Sequence, residues 1–531
     1  MRQTFDIKIA RRDLLVGSLA SVSTWPLVAP SIALAQADMQ PSQPPAAAAE
    51  EPPPSAAAAR EAVGKLEDAI LRISREVWAT PELSLHEELS SKIHIRELEA
   101  AGFDIVSTGT SGIPTAFVAE WSQGSGGPTV GFLPEYDALP SLGNAAEPRQ
   151  TPGPTGAEVG HGCGHNLLGA GCTGAAFALK EMMLADGTPG TIRVFGCAAE
   201  ETEGAKVYMA RDGLFEGLDA CLAWHPAPIT ATGLMRTAAV NMITVAFHGR
   251  TAHAGVDPWE GRSALKGAEM FAVGIQFMRE HVQPTTRLHY VYTSAGETPN
   301  VVPDHAQILM MIRAEDRQQV GAVTDWIRQI AQGAAMSTQT QVEIDLFFGM
   351  HDLLPNGPLV ERMHRHLMAT PPAWTDAEQA FAKACQREMS LPEKGLTDIV
   401  LPILPEMTTG GATDVGDVSY NSPTGIFGYT TMPAGVGLHT WPVTACGGMS
   451  IGDKGSLGTA IIMAGVGHDV MTDERFRAEI KADFDKRLAG RPAYVSPLPE
   501  GKLRPSGIPP HLLLRDGSGE IIEEIMEVQA P

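Results

Sequence analysis

Apolar and polar positions follow two kinds of spacing along the chain, which predict helices and strands from about Ala59 onward. Apolar residues recur every three or four positions in EAVGKLEDAILRISREVW and HEELSSKIHIRELEAAGF, which predicts two helices separated at Thr80-Pro81. Short apolar runs predict strands in TAFVAEW (115–121), TVGFLP (129–134), TIRVFGCAA (191–199) and LDACLAWH (218–225). Between them lie two predicted helices, AKVYMARDG and NLLGAGCTGAAFALKEMM, the latter capped by Asn166. Strands that alternate with helices predict an α/β fold, with a mostly parallel sheet flanked by helices on both faces.

The pattern changes around residue 237. Residues 237–351 predict the series strand, helix, strand, strand, helix, strand, which is the order of a ferredoxin-like α+β domain. From about residue 352 helices return, followed by β-like segments that hold TDVGD and GLHT, and then by a helix from Lys454 to about Val470. We therefore expect a discontinuous larger domain, residues 59–236 and 352–489, into which the ferredoxin-like domain is inserted.

The first 35 residues predict an export signal. Basic residues end in Arg11-Arg12, a short apolar run follows, and Ala33-Leu34-Ala35 matches a small-x-small cleavage site. The paired arginines resemble a bacterial twin-arginine signal and predict a periplasmic or otherwise exported protein, with an ordinary secretory signal as the alternative. Residues 36–58 are rich in Pro and Ala and predict a disordered linker, whereas the Pro-rich tail at 490–531 predicts no particular role.

Net charge and hydropathy argue against two classes of binding partner, nucleic acid and membranes. The formal net charge of −23 disfavours nucleic acid and anionic membranes, and no segment beyond the leader predicts a membrane span. The six cysteines leave three interpretations open for Cys163, namely a disulfide, a nucleophile or a metal ligand. One disulfide among Cys172, Cys197, Cys221, Cys385 and Cys446 also stays open.

Candidate chemistry clusters where predicted strands end. His161, Cys163 and His165 lie in a loop that opens a helix, Glu200-Glu201 follow one strand, and His225 ends another. Because the carboxyl ends of parallel strands line the ligand crevice of an open sheet, we expect these groups to converge. Thiolate, imidazole and carboxylate together make a site for a borderline cation such as Zn²⁺. We interpret His161 as structural rather than as a ligand.

Several motifs, in order, resemble the M20 metallopeptidase/amidohydrolase family, and in particular its aminobenzoyl-glutamate utilisation (p-aminobenzoyl-glutamate hydrolase) branch. The motifs are HGCGHN (161–166), AAEE (198–201), AWHP (223–226), FHGRTAHAG (247–255), the Asn300–Asp304 stretch and GLHT (437–440), with WATPELSLHE, GFLPEYDALP and GATDVGDVSY in support. The resemblance covers about residues 60–470 and implies a zinc-exopeptidase-like fold with an inserted lid and dimerisation domain. It also implies a homodimer or a higher oligomer of dimers.

The resemblance implies two divalent ions, Zn²⁺ or Mn²⁺, in each subunit. Cys163 would bridge them, and the remaining ligands would be His165 and His225 for one ion and Glu201 and His439 for the other. Glu200 would be the general base, and His253 would reach the active site of a partner subunit. On chemical grounds Asn300 and Arg313 are candidates for holding a substrate oxygen or carboxylate, while a structural strand-end salt bridge is the alternative for Arg313.

Two features depart from related branches. Glu135 stands where those branches have Asp, although Asp137 keeps a carboxylate nearby, and the loop at 141–160 is long enough to reshape the pocket mouth. The sequence as a whole predicts a metal-dependent hydrolase that cleaves the amide bond of N-acyl or aryl amino acids or small peptides. The alternative is an exported metal-containing binding protein without turnover, but Glu200 favours catalysis. A thiol hydrolase built on Cys163 and His165 would leave the other clusters unexplained.

Overall fold

A computed structural model describes residues 51–499 of the chain. The predicted export signal, residues 36–50 of the predicted linker and residues 500–531 of the tail lie outside the described residues. The first helix begins at Pro54, so the last five residues assigned to the linker are helical instead. Proline suits the first turn of a helix and the following alanines favour its continuation, while Ala56 and Ala59 are buried.

Twelve α-helices and fourteen strands are described between residues 51 and 499. The helices are α1 (Pro54–Ala79), α2 (Glu88–Ala100), α3 (His165–Asp186), α4 (Ala205–Arg211), α5 (Ala264–Met278), α6 (Arg317–Thr338), α7 (Gly357–Ala369), α8 (Asp376–Glu388), α9 (Val415–Ser419), α10 (Trp441–Gly447), α11 (Ser450–Thr472) and α12 (Glu474–Leu488). The strands are β1 (Asp104–Thr108), β2 (Phe117–Gln123), β3 (Thr129–Phe132), β4 (Leu139–Pro140), β5 (Val159–Gly160), β6 (Gly190–Gly196), β7 (Ala220–Ala227), β8 (Ala231–Arg236), β9 (Ala239–His248), β10 (Arg287–Ser294), β11 (His305–Ala314), β12 (Gln341–Met350), β13 (Leu404–Thr408) and β14 (Thr424–Thr430).

The larger domain is built on an eight-stranded sheet in the order β1-β2-β6-β3-β7-β14-β8-β13. Its four central strands, β6-β3-β7-β14, are parallel, as are β8 and β13, whereas the pairings β1–β2, β2–β6 and β14–β8 are antiparallel. The predicted mostly parallel sheet is therefore confirmed at its centre. The carboxyl ends of β6, β3 and β7 meet at one edge, where they can position a site.

Helix α3 lies at the centre of this domain, packed against α1 and α11. Small residues allow the close approach, since a Cβ at Gly171 would lie 2.5 Å from Thr459 Oγ1 and 2.7 Å from Trp224 Nε1. Among the described residues α3 is the one helix long and apolar enough to cross a membrane, and most of it is buried in the protein. It is a core helix, and its first turn carries the end of HGCGHN.

The inserted domain has the predicted ferredoxin-like order. Strands β9, β10, β11 and β12 form a separate antiparallel sheet, ordered β10-β11-β9-β12, against which α5 and α6 pack. It has its own hydrophobic core, which includes Ile243, Phe247, Phe271 and Ile327. The domain runs from β9 to β12, close to the predicted limits of 237 and 351.

Two local predictions are wrong. Asn166 does not cap α3, because Gly164 is the N-cap in a left-handed conformation (φ 81°) and Asn166 lies in the first turn. Its side-chain amide instead donates to the Gly447 carbonyl at 3.2 Å. TDVGD and GLHT are not in strands: the first leads into α9 and the second precedes α10, since their Gly and Asp residues favour turns and helix starts.

The described part of the tail packs where the two domains join. Tyr494 donates to Asp417 at 2.9 Å, and His351 Nε2 lies 3.0 Å from the Val495 carbonyl oxygen. Both chain crossings between the domains meet here, because Arg236 at the end of β8 pairs with Asp352 just after β12 at 2.6 Å. The described part of the tail thus stabilises the junction between the two domains.

Candidate metal centre

Five predicted ligands converge at the carboxyl ends of the central strands. Cys163 and His165 lie in the loop and first turn that open α3, and Glu201 lies in the loop after β6. His225 lies near the end of β7, and His439 lies in the loop before α10. The fold therefore brings together residues up to 276 positions apart in sequence (163 to 439).

The ligand atoms form two groups that share one sulfur. In one group Cys163, His165 and His225 offer atoms that all lie within 4.8 Å of one another, and in the other Cys163, Glu201 and His439 do the same. Cys163 Sγ lies 3.5 Å from His225 Nε2, and His439 Nε2 lies 3.3 Å from Glu201 Oε1. This is the arrangement that the family resemblance implies for two ions with a bridging cysteine.

Buried polar atoms in the site lack hydrogen-bond partners. Among the described residues, His165 Nε2, Glu201 Oε1 and Glu135 Oε2 are buried and have no hydrogen-bond partner. A buried donor or acceptor without a partner is costly, and a buried carboxylate is more so. Divalent cations would satisfy all three atoms, so the residues fit the two-ion site.

Asp137 orients this donor set. One of its oxygens lies 2.8 Å from His165 Nδ1, and the other accepts from the Glu201 amide at 2.9 Å and from the Ser84 hydroxyl at 2.8 Å. A proton on Nδ1 leaves the Nε2 lone pair of His165 facing the site, which is how metal-ligating histidines are commonly oriented. The sequence placed a carboxylate at this position but did not predict its role.

The loop that carries Glu200 has an unusual backbone. Ala199 adopts a left-handed conformation (φ 53°), and its amide donates to Glu87 Oε1 at 2.7 Å. Thr115 donates to the other Glu87 oxygen at 2.7 Å. Glu87 therefore holds the turn that points Glu200 and Glu201 into the site. Its membership in WATPELSLHE was the only sequence signal for it.

Burial and charge set the protonation of the site in the absence of cations. Burial, followed by the nearby Glu135 and Asp414 carboxylates, raises the pKa of Glu200 well above its usual value. Burial likewise raises the pKa of Cys163, although His165 opposes the shift. A bound cation reverses this balance for a thiol, because it stabilises the thiolate.

The three candidate residues of the inserted domain, His253, Asn300 and Arg313, do not belong to the ligand groups. His253 and Asn300 are both exposed, and they are neighbours because the Ala254 amide donates to the Asn300 carbonyl at 3.0 Å. Arg313 on β11 donates to the Gly410 carbonyl at 3.1 Å, across to the larger domain. Among residues 51–499 no ion pair is described for Arg313, so the salt-bridge alternative gains no support from the structure. His161 is buried, with Nε2 3.1 Å from the Val77 carbonyl, in keeping with a structural role.

Comparisons with known proteins define the class. The model of peptidase family M20/M25/M40 matches residues 133–440, more than half of the chain, and the chain belongs to this family. It is 35% identical to a p-aminobenzoyl-glutamate hydrolase subunit of Escherichia coli, over 81% of this chain and 94% of the relative. It is 27% identical to Xaa-Arg dipeptidase of mouse, over 85% and 96% of the two chains. The predicted family and branch are confirmed, and the protein is an M20 hydrolase.

Solved structures share the fold. A dinuclear metal-binding M20 peptidase from Bacillus subtilis superposes with a TM-score of 0.53 at 19% identity, covering 77% of this chain and 99% of that one. The aminobenzoyl-glutamate utilization protein of Klebsiella pneumoniae gives a TM-score of 0.52 at 18% identity, covering 76% and 97%. The predicted α/β fold of the family is confirmed.

Proposed function

We propose that this M20 hydrolase cleaves the amide bond of N-acyl or aryl amino acids or small peptides, and that p-aminobenzoyl-glutamate-like conjugates are among its substrates. The observation that supports this most directly is the pair of ligand groups that share Cys163, with Glu200 beside them. The name of the 35% identical relative supports the same substrate class. The sulfur ligand favours Zn²⁺ over Mn²⁺.

Each site residue then has a chemical task. Two bound divalent ions supply an activated water at neutral pH and polarise the scissile carbonyl. Glu200 would accept the proton of that water and pass it to the leaving nitrogen, because it lies beside the ligand groups, with Oε2 4.0 Å from His165 Nε2. Arg313 and Asn300 bind the carboxylate or amide oxygen of the substrate, and His253 donates to the developing oxyanion.

Glu200→Gln tests the hydrolase assignment. We expect a loss of roughly 10²–10⁴-fold in kcat, because the general base is removed, with metal content unchanged at two ions per chain. Hydrolysis of p-aminobenzoyl-glutamate, N-acyl amino acids and dipeptides would be followed by chromatography, and metal content by mass spectrometry. A wild-type protein that holds two ions but hydrolyses none of these substrates would support the binding-protein alternative. An active Glu200→Gln variant would overturn the role of Glu200.

We also propose that two copies associate through the inserted domain. Its edge strand β10 exposes Val291 and Tyr292, and the neighbouring helix α5 exposes Met270, Val273 and Phe277. If His253 acts in the partner's site, a mixed dimer of one His253→Ala and one Glu200→Gln subunit has one complete site of two. Because about half of the dimers in an equal mixture are mixed, such a mixture should regain about a quarter of wild-type activity. A monomer by light scattering, or no recovery on mixing, would contradict this.

Finally, we propose that the protein is exported by a twin-arginine route. Arg11-Arg12 ahead of a short apolar run support it. Export after folding would let Cys163 bind metal before it meets an oxidising compartment. Residues 1–38 fused to a reporter provide the test, and export that is unchanged without the twin-arginine machinery would refute the route.

A further inference from the structure

Glu135 has one committed oxygen and one free oxygen. It follows β3 at the edge where the ligands converge, and its side chain is 4% exposed. Oε1 lies 2.7 Å from Lys206 Nζ. Oε2 is buried, has no hydrogen-bond partner among the described residues, and lies 3.3 Å from His165 Nε2. The free oxygen thus faces the nitrogen that already points into the site.

A buried lysine fixes this orientation. Lys206 on α4 is fully buried, and its ammonium also lies 2.6 Å from Asp414 Oδ1. Asp414 Oδ2 accepts from the Lys206 backbone amide at 3.1 Å, so both ends of this lysine are held by one carboxylate. A buried ion pair of this kind adds little net stability, because desolvation of the charges offsets their attraction. Here it fixes the positions of the side chains that form it. Because one ammonium is shared between two carboxylates, the negative charge of Glu135 is only partly compensated.

The separation between Glu135 and His165 fits two ligands better than a hydrogen bond. Charge-assisted N–H···O contacts are about 2.7–2.9 Å long. Two ligands of one tetrahedral Zn²⁺, each at about 2.0–2.2 Å, lie roughly 3.3–3.5 Å apart. The Glu135–His165 distance of 3.3 Å matches this, as do the Glu201–His439 distance of 3.3 Å and the Cys163–His225 distance of 3.5 Å. Glu135, His165 and Glu200 also offer ligand atoms within 4.8 Å of one another.

We propose that Glu135 is a further ligand of the ion bound by His165, and that Lys206 and Asp414 are positioning residues that aim it. The proposal rests on the two-ion site proposed above. It explains why this chain carries Glu rather than the shorter Asp of related branches: with Lys206 holding one oxygen, the longer side chain still brings the other to His165. Because a carboxylate is a hard ligand, a site that includes Glu135 binds Mn²⁺ better than a site of cysteine and histidine alone would.

The test compares Glu135→Gln and Glu135→Asp with Glu203→Gln in the full chain. Glutamine keeps an oxygen for Lys206 but cannot ligate through its amide nitrogen, whereas aspartate keeps the charge and withdraws the oxygen. Glu203 is a similarly buried glutamate, in the loop between β6 and α4, that does not belong to a ligand group. Each protein is dialysed against graded chelator, and Zn²⁺ and Mn²⁺ are counted by mass spectrometry.

We expect both Glu135 variants to lose one of two ions at chelator concentrations where the wild type and Glu203→Gln keep both. The affinity of the lost ion should fall about 10–100-fold or more. Two ions retained with wild-type affinity in both variants would overturn the proposal while leaving the two-ion site intact. A wild type without two ions would instead refute the proposed function. Thermal unfolding of the metal-free proteins checks folding, and if Glu135→Gln does not fold, Glu135→Asp decides.

Discussion

At the scale of single residues, the backbone conformation of Ala199 sets the direction of the loop that carries Glu200 and Glu201. A left-handed conformation costs an L-residue roughly 1–2 kcal/mol, and here the buried Glu87 carboxyl group offsets part of that cost by accepting a hydrogen bond of 2.7 Å from the Ala199 amide. The strained residue directly precedes Glu200, the proposed general base, and Glu201, a candidate metal ligand. Ala199 has no reactive side chain, yet the local geometry of the site depends on its backbone conformation.

Substitution of Ala199 should separate geometry from chemistry. In Ala199→Val a β-branched side chain at positive φ adds strain that the loop relieves by moving, so we expect kcat to fall at least about tenfold and the melting temperature to drop. Ala199→Gly tolerates the same conformation and should keep near-wild-type kcat. Steady-state kinetics and calorimetry provide the measurements. Equal activity in the two variants would show that the turn does not position Glu200.

At the scale of elements, α8 is tied to α11 through one carboxylate. Thr375 caps α8 and forms a reciprocal capping box with Glu378, which also accepts from Ser450 at 2.7 Å and from Lys454 at 2.6 Å. Burial alone would raise the pKa of Glu378, but Lys454 and the Thr375 amide outweigh it and lower the pKa to about 2. The ionised carboxylate therefore stabilises the fold.

The sign of this shift predicts an acid-dependent loss of stability. Since the folded pKa lies below the unfolded value of 4.5, the contribution is present above pH 4.5 and disappears as the pH falls towards 2. Lys454 is partly exposed, so we expect Glu378→Gln to cost about 1–2 kcal/mol at pH 7 and little at pH 2–3. Urea unfolding at both pH values measures this, with the exposed Glu388→Gln as control. A deficit that does not change with pH would contradict the ionic explanation.

Elements also show what the sequence could and could not predict. Strand ends place Glu200, Glu201 and His225, and local spacing places Cys163 and His165, so short-range patterns were enough for most of the ligand set. The sequence did not predict the cluster of Glu135, Lys206 and Asp414, because its members come from three distant segments. A lone Lys or Asp normally predicts a solvated surface. TDVGD was misassigned because its buried carboxylates are satisfied by the Lys206 and His351 amides, which only the folded chain provides.

At the scale of the whole molecule, the tail and the domain junction form one network. Arg491 donates to the Tyr420 hydroxyl at 2.9 Å, and Tyr420 donates to Asp352, the partner of Arg236. Tyr494 reaches Asp417, whose other oxygen accepts from the His351 amide. The tail, for which the sequence predicted no role, thus supports both crossings between the domains.

Truncation should expose this role. A chain that ends at Ala489 loses the Arg491, Tyr494 and Val495 contacts and leaves Asp417 short of a donor, so we expect a loss of about 2–4 kcal/mol in unfolding free energy and a raised KM as the junction loosens. A chain that ends at residue 499 keeps these contacts and should behave as the full-length protein does. Denaturant melts and substrate titrations compare the two. Identical stability would mean that the tail contacts are dispensable.

Helix α3 is buried along nearly its whole length, so it depends on the rest of the larger domain to cover its apolar surface. In an unfolded chain, residues 165–186 would expose that surface to water. Once α3 is enclosed by α1, α11 and the sheet, that surface is hidden. Collapse of the larger domain around α3 therefore has to outpace association between unfolded chains, because exposed apolar segments make folding intermediates prone to aggregate.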